Sequence, residues 1–350
     1  MRSKQPTTVL DSLNLGLHQA FRENPKVFML GEDILDPYGG AFKVARGLSS
    51  AFPERVITTP ISEAGITGIA GGMALRGLRP VVEIMFGDFS TLIADQVINH
   101  LVKFQIMYHQ QVSVPVVIRT PMGGRRGYGP THSQTLEKFF LGIPGLTVLA
   151  PFHLLGEYAL GAPGKLLHEA ILTSDTPILF VENKLQYLLK LLTPSDLTEF
   201  KLKKFNSDHN FINRTYQLSI VSAPKPNITL AAYGYMAHLA MAAMLRLAYE
   251  DEIFCELLIP TQLAPFELTP LYESIAATGR LLTLEEGTLS MGWGAEVLAR
   301  TAEALGPRLR QADRLAAKET VIPAAPNLEA DCLPNTVDII RSVKEMLLER

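Results

Sequence analysis

Three short patches hold the residues able to do chemistry. They are "ISEAG" with Glu63, "EIMFGDF" with Met85 and Phe89, and "RTPMGGRRGYGPTHSQ" with Arg125, Arg126 and His132. A carboxylate, a thioether, an aromatic ring and a loop histidine can together hold a flat heteroaromatic. The thioether and ring supply apolar faces, and the carboxylate meets a ring nitrogen. Each residue also has a plainer reading. An acid at the start of a helix is favoured by the helix dipole whether or not it binds a ligand. Met85 and Phe89 read equally as core, His132 as a loop histidine bonded to backbone, and Arg125 and Arg126 as a solvated pair.

Other chemistries lack their residues. No Walker A loop, G-x-S-x-G elbow or H-E-x-x-H helix occurs. "MGWGAE" lacks the third glycine of a dinucleotide loop, and His168 in "HEA" has no second histidine, so no metal ligands are assigned. The two cysteines, Cys255 and Cys332, form no C-x-x-C pair. A net charge of −3 with no basic stripe argues against nucleic acid, and "FKLKKF" reads as a solvated edge. No uncharged apolar run reaches the roughly 18 residues of a membrane span. Two cysteines far apart make a reducing cytoplasm the expected place, and the first residues lack the apolar core of a signal peptide.

The three patches need elements to carry them. All fall near the ends of apolar, β-branched runs: "RVITTPI", "RPVVEIMF" and "VPVVIRTPMGG". With "KVFMLGEDI", "LTVLAP" and "PILFVEN", these alternate with helical patterns, as in a parallel sheet covered on both faces. Ligands of such sheets bind beyond the carboxyl ends of the strands. The stretch "STLIADQVINHLVKFQIMYH" predicts one long amphipathic helix. "GEYALGAPGKLLHEAIL" predicts a helix interrupted by Gly161, Pro163 and Gly164. At 350 residues, 47% hydrophobic and 19% charged, the chain is long enough for two globular domains. Residues 1–190 make the first. Polar, Pro-containing sequence over 191–227 reads as a linker with a short hairpin. A second α/β series, from "ITLAAYGYM" to the terminal helix "NTVDIIRSVKEMLLER", fills 228–350.

One helix breaks the usual rules. "ISEAGITGIAGGMALRG" opens on Ser62 as N-cap and Glu63, yet carries Gly65, Gly68, Gly71, Gly72 and Gly77. Each interior glycine costs about 0.5–1 kcal/mol relative to alanine. Spaced by three or four, Gly65, Gly68 and Gly72 lay bare backbone along one side, where another helix or subunit can approach closely.

Taken in order, "GEDI", "GGAFKVARGL", "RVITTPISEAGITGIAGGMAL", "GLRPVVEIMF", "ADQVIN", "VPVVIRTPMGG", "HSQ", "PGLTVLAP", "TPILFVENK", "EEG" and "GWGAEV" resemble the β subunit of the thiamine-diphosphate-dependent E1 component of 2-oxo acid dehydrogenase complexes. The resemblance runs nearly the whole length, densest over the first 190 residues. It implies an α/β fold of a transketolase-like pyrimidine-binding domain plus a transketolase C-terminal domain, each a mainly parallel sheet flanked by helices. It also implies that Glu63 hydrogen-bonds the pyrimidine N1′ of thiamine diphosphate and promotes loss of the thiazolium C2 proton. Met85 and Phe89 match the positions that pack on the pyrimidine. His132 matches the active-site histidine, which assists proton transfer or the later acyl transfer to a lipoyl carrier. In the family, a GDG-type motif of the α subunit holds the diphosphate and Mg2+; this chain has none, which implies half a cofactor site and a heterotetramer of two α and two β subunits. The expected activity is decarboxylation of a 2-oxo acid with acyl transfer to a lipoyl-bearing E2. The alternatives are acyl transfer to another acceptor, or a non-catalytic homologue, against which Glu63 and His132 count. Two features depart from the family. The adjacent Arg125 and Arg126 read as contacts to an acidic substrate, an acidic carrier or the α subunit. The segment 153–176 is longer than usual, where some members bind a structural potassium ion through backbone carbonyls.

Overall fold

The computed structural model describes residues 5–206 and 214–348. The part of the expected linker at 207–213 lies outside these residues. The apolar runs form β1 (Val27–Gly31), β2 (Val56–Thr58), β3 (Arg79–Glu83), β4 (Val117–Met122), β5 (Thr147–Leu149) and β6 (Ile178–Asn183). β4 is buried at every position and β3 and β6 at all but one, which is why they read as continuous hydrophobic runs. The linker region contributes the strands β7 (Phe200–Asn206) and β8 (Arg214–Ile220), which pair antiparallel. β9 (Ile228–Ala232), β10 (Cys255–Pro260), β11 (Gln262–Ala264), β12 (Arg280–Thr288) and β13 (Gln311–Ala317) follow.

Two sheets result. The first has the order β11-β5-β6-β4-β3-β1-β2 and the second β13-β12-β9-β10-β8-β7. All neighbours in the first are parallel except β11, which comes from the second half of the chain and adds antiparallel to β5. The second sheet is parallel from β13 to β10 and antiparallel beyond. One core crosses between the sheets: Ile66, Ile118 and Val148 belong to the same buried cluster as Tyr233, Leu258 and Trp293. Strand β11 and this core weld the two halves together.

Two local expectations differ from the structure. Residues 161–173 form one unbroken helix, Gly161–Thr173. Gly161 takes φ +71° at its start and Pro163 sits in the first turn, where a missing N–H costs nothing. Gly164 lies against the first helix, Val9–Glu23: a Cβ there would stand 2.0 Å from the Ser12 carbonyl oxygen. The glycine serves a helix crossing, not a break. Conversely, the stretch expected as one long helix is three pieces: a 3-10 turn at Gly87–Ile93, a π-helical turn at Gln96–Leu101 and a short α-helix at Val102–Met107. Leu101 and Phe104 pack against Gly71 here, so the widened turn accommodates a close approach from the glycine helix.

Candidate active site

Beneath the carboxyl ends of the central strands lies a buried ion cluster. Arg119 of β4 donates Nε and Nη2 to the two oxygens of Glu182 at 2.8 and 2.7 Å, and Nη1 to Glu83 at 2.7 Å. The Tyr187 hydroxyl also donates to Glu182. A fork of this kind fixes the ends of β3, β4 and β6 relative to one another. The three patches rise from that platform.

Glu63 is the first residue of the helix Glu63–Leu75 and is 8% exposed. Ser62 stands at the N-cap position, but its hydroxyl makes no cap bond. The Glu63 carboxylate receives a hydrogen bond from none of the described residues. Glu32, just beyond β1, lies near it: burial first, then the Glu63 charge, raises the Glu32 carboxyl above its usual range. The helix packs on β3 and on the turn Gly87–Ile93, which brings Glu63's element against the second patch.

Met85 and Phe89 are half-buried at the exit of β3. The ring of Phe89 lies 5.3 Å from His132, edge-on at 77°. Phe86, quoted in the motif but not singled out, is the hub: it lies 4.6 Å from His132, 5.8 Å from Phe89 and 5.8 Å from Tyr128. Edge-to-face rings form a firm wall. His132 itself is half-buried, with Nδ1 2.9 Å from the Thr131 hydroxyl. Its neighbour Gln134 donates Nε2 to Asp88 at 2.8 Å, which ties the third patch to the second.

Sequence reasoning passed over Lys184, at the end of "VENK". It is fully buried, donates to the His132 carbonyl oxygen, and faces the rings of Phe86 and Tyr128 at 5.2 and 5.8 Å. Burial pushes its ammonium down to about 8, against the pull of Asp88 and Glu286.

The arginines part company. Arg125 turns inward to the second half of the chain: Nη2 donates to the Pro334 carbonyl at 2.5 Å, and the guanidinium sits 5.7 Å over the Tyr235 ring. Arg126 is exposed and lies over Tyr128, with Nη2 3.4 Å from its hydroxyl. The site therefore offers a carboxylate with open acceptor positions beside an aromatic wall, with the half-buried Met85 next to it in sequence, at the carboxyl edge of a parallel sheet. Such an arrangement can accept a flat, nitrogen-bearing ring.

Comparison with known proteins gives the family. Residues 5–188 match the transketolase pyrimidine-binding domain and residues 218–339 the transketolase C-terminal domain. The chain is 36% identical over 339 residues to pyruvate dehydrogenase E1 component subunit beta-1, mitochondrial, of Arabidopsis thaliana, covering 96% of this chain and 88% of that one. It is 31% identical to the pyruvate dehydrogenase E1 component subunit beta of Rickettsia bellii, covering 97% and 98%. Among solved structures, a split-gene transketolase in an inactive beta4 tetramer superposes with a TM-score of 0.74 at 18% identity, over 98% of this chain and 99% of that one.

Proposed function

The chain belongs to the family of pyruvate dehydrogenase E1 β subunits, and on that premise we propose that it binds the pyrimidine half of thiamine diphosphate and acts with an α subunit on a 2-oxo acid. The observation that carries the reading is Glu63, 8% exposed at the start of its helix, whose carboxylate oxygens stay open at the surface of the site and take no hydrogen bond from the described residues. A carboxylate held on a buried stem with its oxygens open offers a fixed acceptor to a ligand. The pyrimidine N1′ is such a partner, and Met85, Phe86 and Phe89 supply faces for the ring. Bound there, thiamine diphosphate supplies a nucleophilic carbon and an electron sink for decarboxylation. Glu63 holds a proton at N1′. His132 turns Nδ1 to Thr131, which leaves Nε2 to hold or release a proton at the substrate's carbonyl oxygen.

The chain carries no GDG motif, and no group of three or more His, Cys, Asp or Glu side chains suited to a metal occurs among the described residues. The diphosphate and its Mg2+ therefore fall to the α subunit, in a heterotetramer of two α and two β chains. The acyl group then passes to a lipoyl-bearing E2. A potassium ion fits this chain poorly. The carbonyls of Ile171 and Ser174, where the helix Gly161–Thr173 ends, accept from Arg79, Nε at 2.6 Å to the first and Nη2 to the second. The chain brings its own cation to those oxygens, and no role for potassium is derived.

The test is Glu63→Gln in the reconstituted α/β enzyme, with exchange of the cofactor C2 proton followed by NMR. An amide cannot hold the proton at N1′, so exchange should slow by about 10²–10⁴-fold, the range of acid–base groups. Calorimetry should find weak binding of thiamine diphosphate and Mg2+ to this chain alone. Wild-type exchange in the variant, or tight stoichiometric binding without an α subunit, refutes the reading.

A further inference from the structure

The loop from Gly123 to His132 has little regular hydrogen bonding of its own. Four of its residues, Gly123, Arg125, Gly127 and Gly129, take positive φ. Its N–H groups must therefore find partners elsewhere or remain unsatisfied. They find them in the second half of the chain. Gly124 N–H donates to Glu286 Oε1 at 2.7 Å. Arg125 N–H donates to Glu329 Oε1 at 2.7 Å and Gly127 N–H to Glu329 Oε2 at 3.0 Å. Glu329 is 3% exposed, on the short helix Pro326–Cys332, and both its oxygens are committed to this loop. The loop's other end is held from the opposite side, where Lys184 donates to the His132 carbonyl. Carboxylates thus grip the N–H groups at one end of the loop, and an ammonium grips a carbonyl at the other. The two ends also attract: Asp88, Glu286 and Glu329 all act on the Lys184 charge, with Arg126 opposing them.

We propose that Glu329 and Lys184 are positioning residues for His132, clamping its loop so that the imidazole stays against Phe86 and Phe89. The proposal rests on the reading of His132 above. It gives the second half of the chain a part in the chemistry, exerted through this loop. Bonds to charged partners are stronger than neutral ones, so this clamp is stiffer than ordinary loop hydrogen bonds. Displacement of a reacting group by about 1 Å can cost about 10²-fold in rate.

The experiment is a double-mutant cycle in the assembled enzyme with its α subunit, using Glu329→Gln, Lys184→Met, the conservative Lys184→Arg, and His132→Ala. Glu329→Gln keeps one acceptor oxygen and turns an NH2 towards a loop N–H. Its kcat should fall about 10- to 100-fold, with cofactor affinity by calorimetry little changed. Lys184→Met should behave alike, and Lys184→Arg should recover part of the loss. In the His132→Ala background, Glu329→Gln and Lys184→Met should add almost nothing, since both act through the imidazole. Losses that multiply in the double mutants overturn the clamp, as does wild-type kcat in both single variants. If His132→Ala alone turns over at the wild-type rate, the reading of His132 falls, and the clamp with it. If either clamp variant fails to fold, the other completes the cycle.

Discussion

Glu285 shows how burial at one residue becomes a property of the protein. Its side chain is 1% exposed, and Oε1 accepts the Gly294 N–H at 3.0 Å. Burial first, then the neighbouring Glu137, pushes its carboxyl up to about 7. Glu137 is shifted the same way by burial, although the Tyr233 hydroxyl donates to it. A carboxyl whose folded pKa lies above its unfolded value binds its proton more tightly when folded. Its contribution is full below the unfolded value of 4.5 and is lost as pH rises through about 7. The expected outcome is that Glu285→Gln, neutral throughout, flattens the fall in stability between those values. Above neutral pH it should exceed wild type by on the order of 1–3 kcal/mol. Urea melts at intervals from pH 5 to pH 8 measure this. An unchanged slope would show that Glu285 is ionised in the fold already.

Elements divide into those that local pattern reveals and those that only contact explains. β1 and β3 to β6 were legible because strands buried on both faces must be apolar and β-branched, and β2, exposed at the sheet edge, was legible by its β-branched run alone. β11 was not, since its three residues are a strand only by pairing with β5, more than a hundred positions earlier. β13, an edge strand with Asp313 and Arg314 inside it, lacks a buried pattern. The helix Gly161–Thr173 was misjudged because Gly164 was read as a local breaker, whereas its cause is the Ser12 backbone across the crossing. The site follows the same division. Glu63, Met85, Phe89 and His132 stood out in short motifs, while Glu329 acts over about two hundred residues of sequence and left no local mark. Arg79 belongs here too, since its work is to cap the end of that same helix. Removing it leaves the Ile171 and Ser174 carbonyls half-buried without a donor, a loss of about 1–3 kcal/mol. Wild-type melting temperature should be the same in potassium and in tetramethylammonium chloride. Arg79→Met should melt lower and recover partly in potassium. A potassium-specific rise in the wild type would show instead that a metal site exists beside the guanidinium.

At the scale of the whole molecule, the glycine helix presents a face that the chain itself does not cover. Gly65, Ile69 and Gly72 follow one another at intervals of four and three within the helix Glu63–Leu75, so they lie on one side, and Ile61 stands just before its start. Ile61 is 83% exposed and Ile69 58%, while a Cβ at Gly72 would meet no atom within 4 Å. Gly71, on the inner side, has its reason within the chain, because a Cβ there would stand 2.8 Å from Leu101. Gly65 and Gly72 are exposed, and nothing in this chain requires Gly72 to be glycine. Bare backbone flanked by exposed isoleucines, on the helix that begins with Glu63, fits the approach of another subunit to the site. A charge placed there is harmless in the free chain but must be desolvated on assembly, at a cost of several kcal/mol. Ile69→Lys should therefore keep the far-ultraviolet spectrum and melting temperature of the free chain, shifting stability by no more than about 0.5 kcal/mol. In sedimentation velocity with the α subunit, the variant should remain largely unassembled at concentrations where wild type is fully associated, and reconstituted turnover should fall in proportion. Normal assembly and turnover by Ile69→Lys would place the subunit contact on another face and leave Gly72 without a cause.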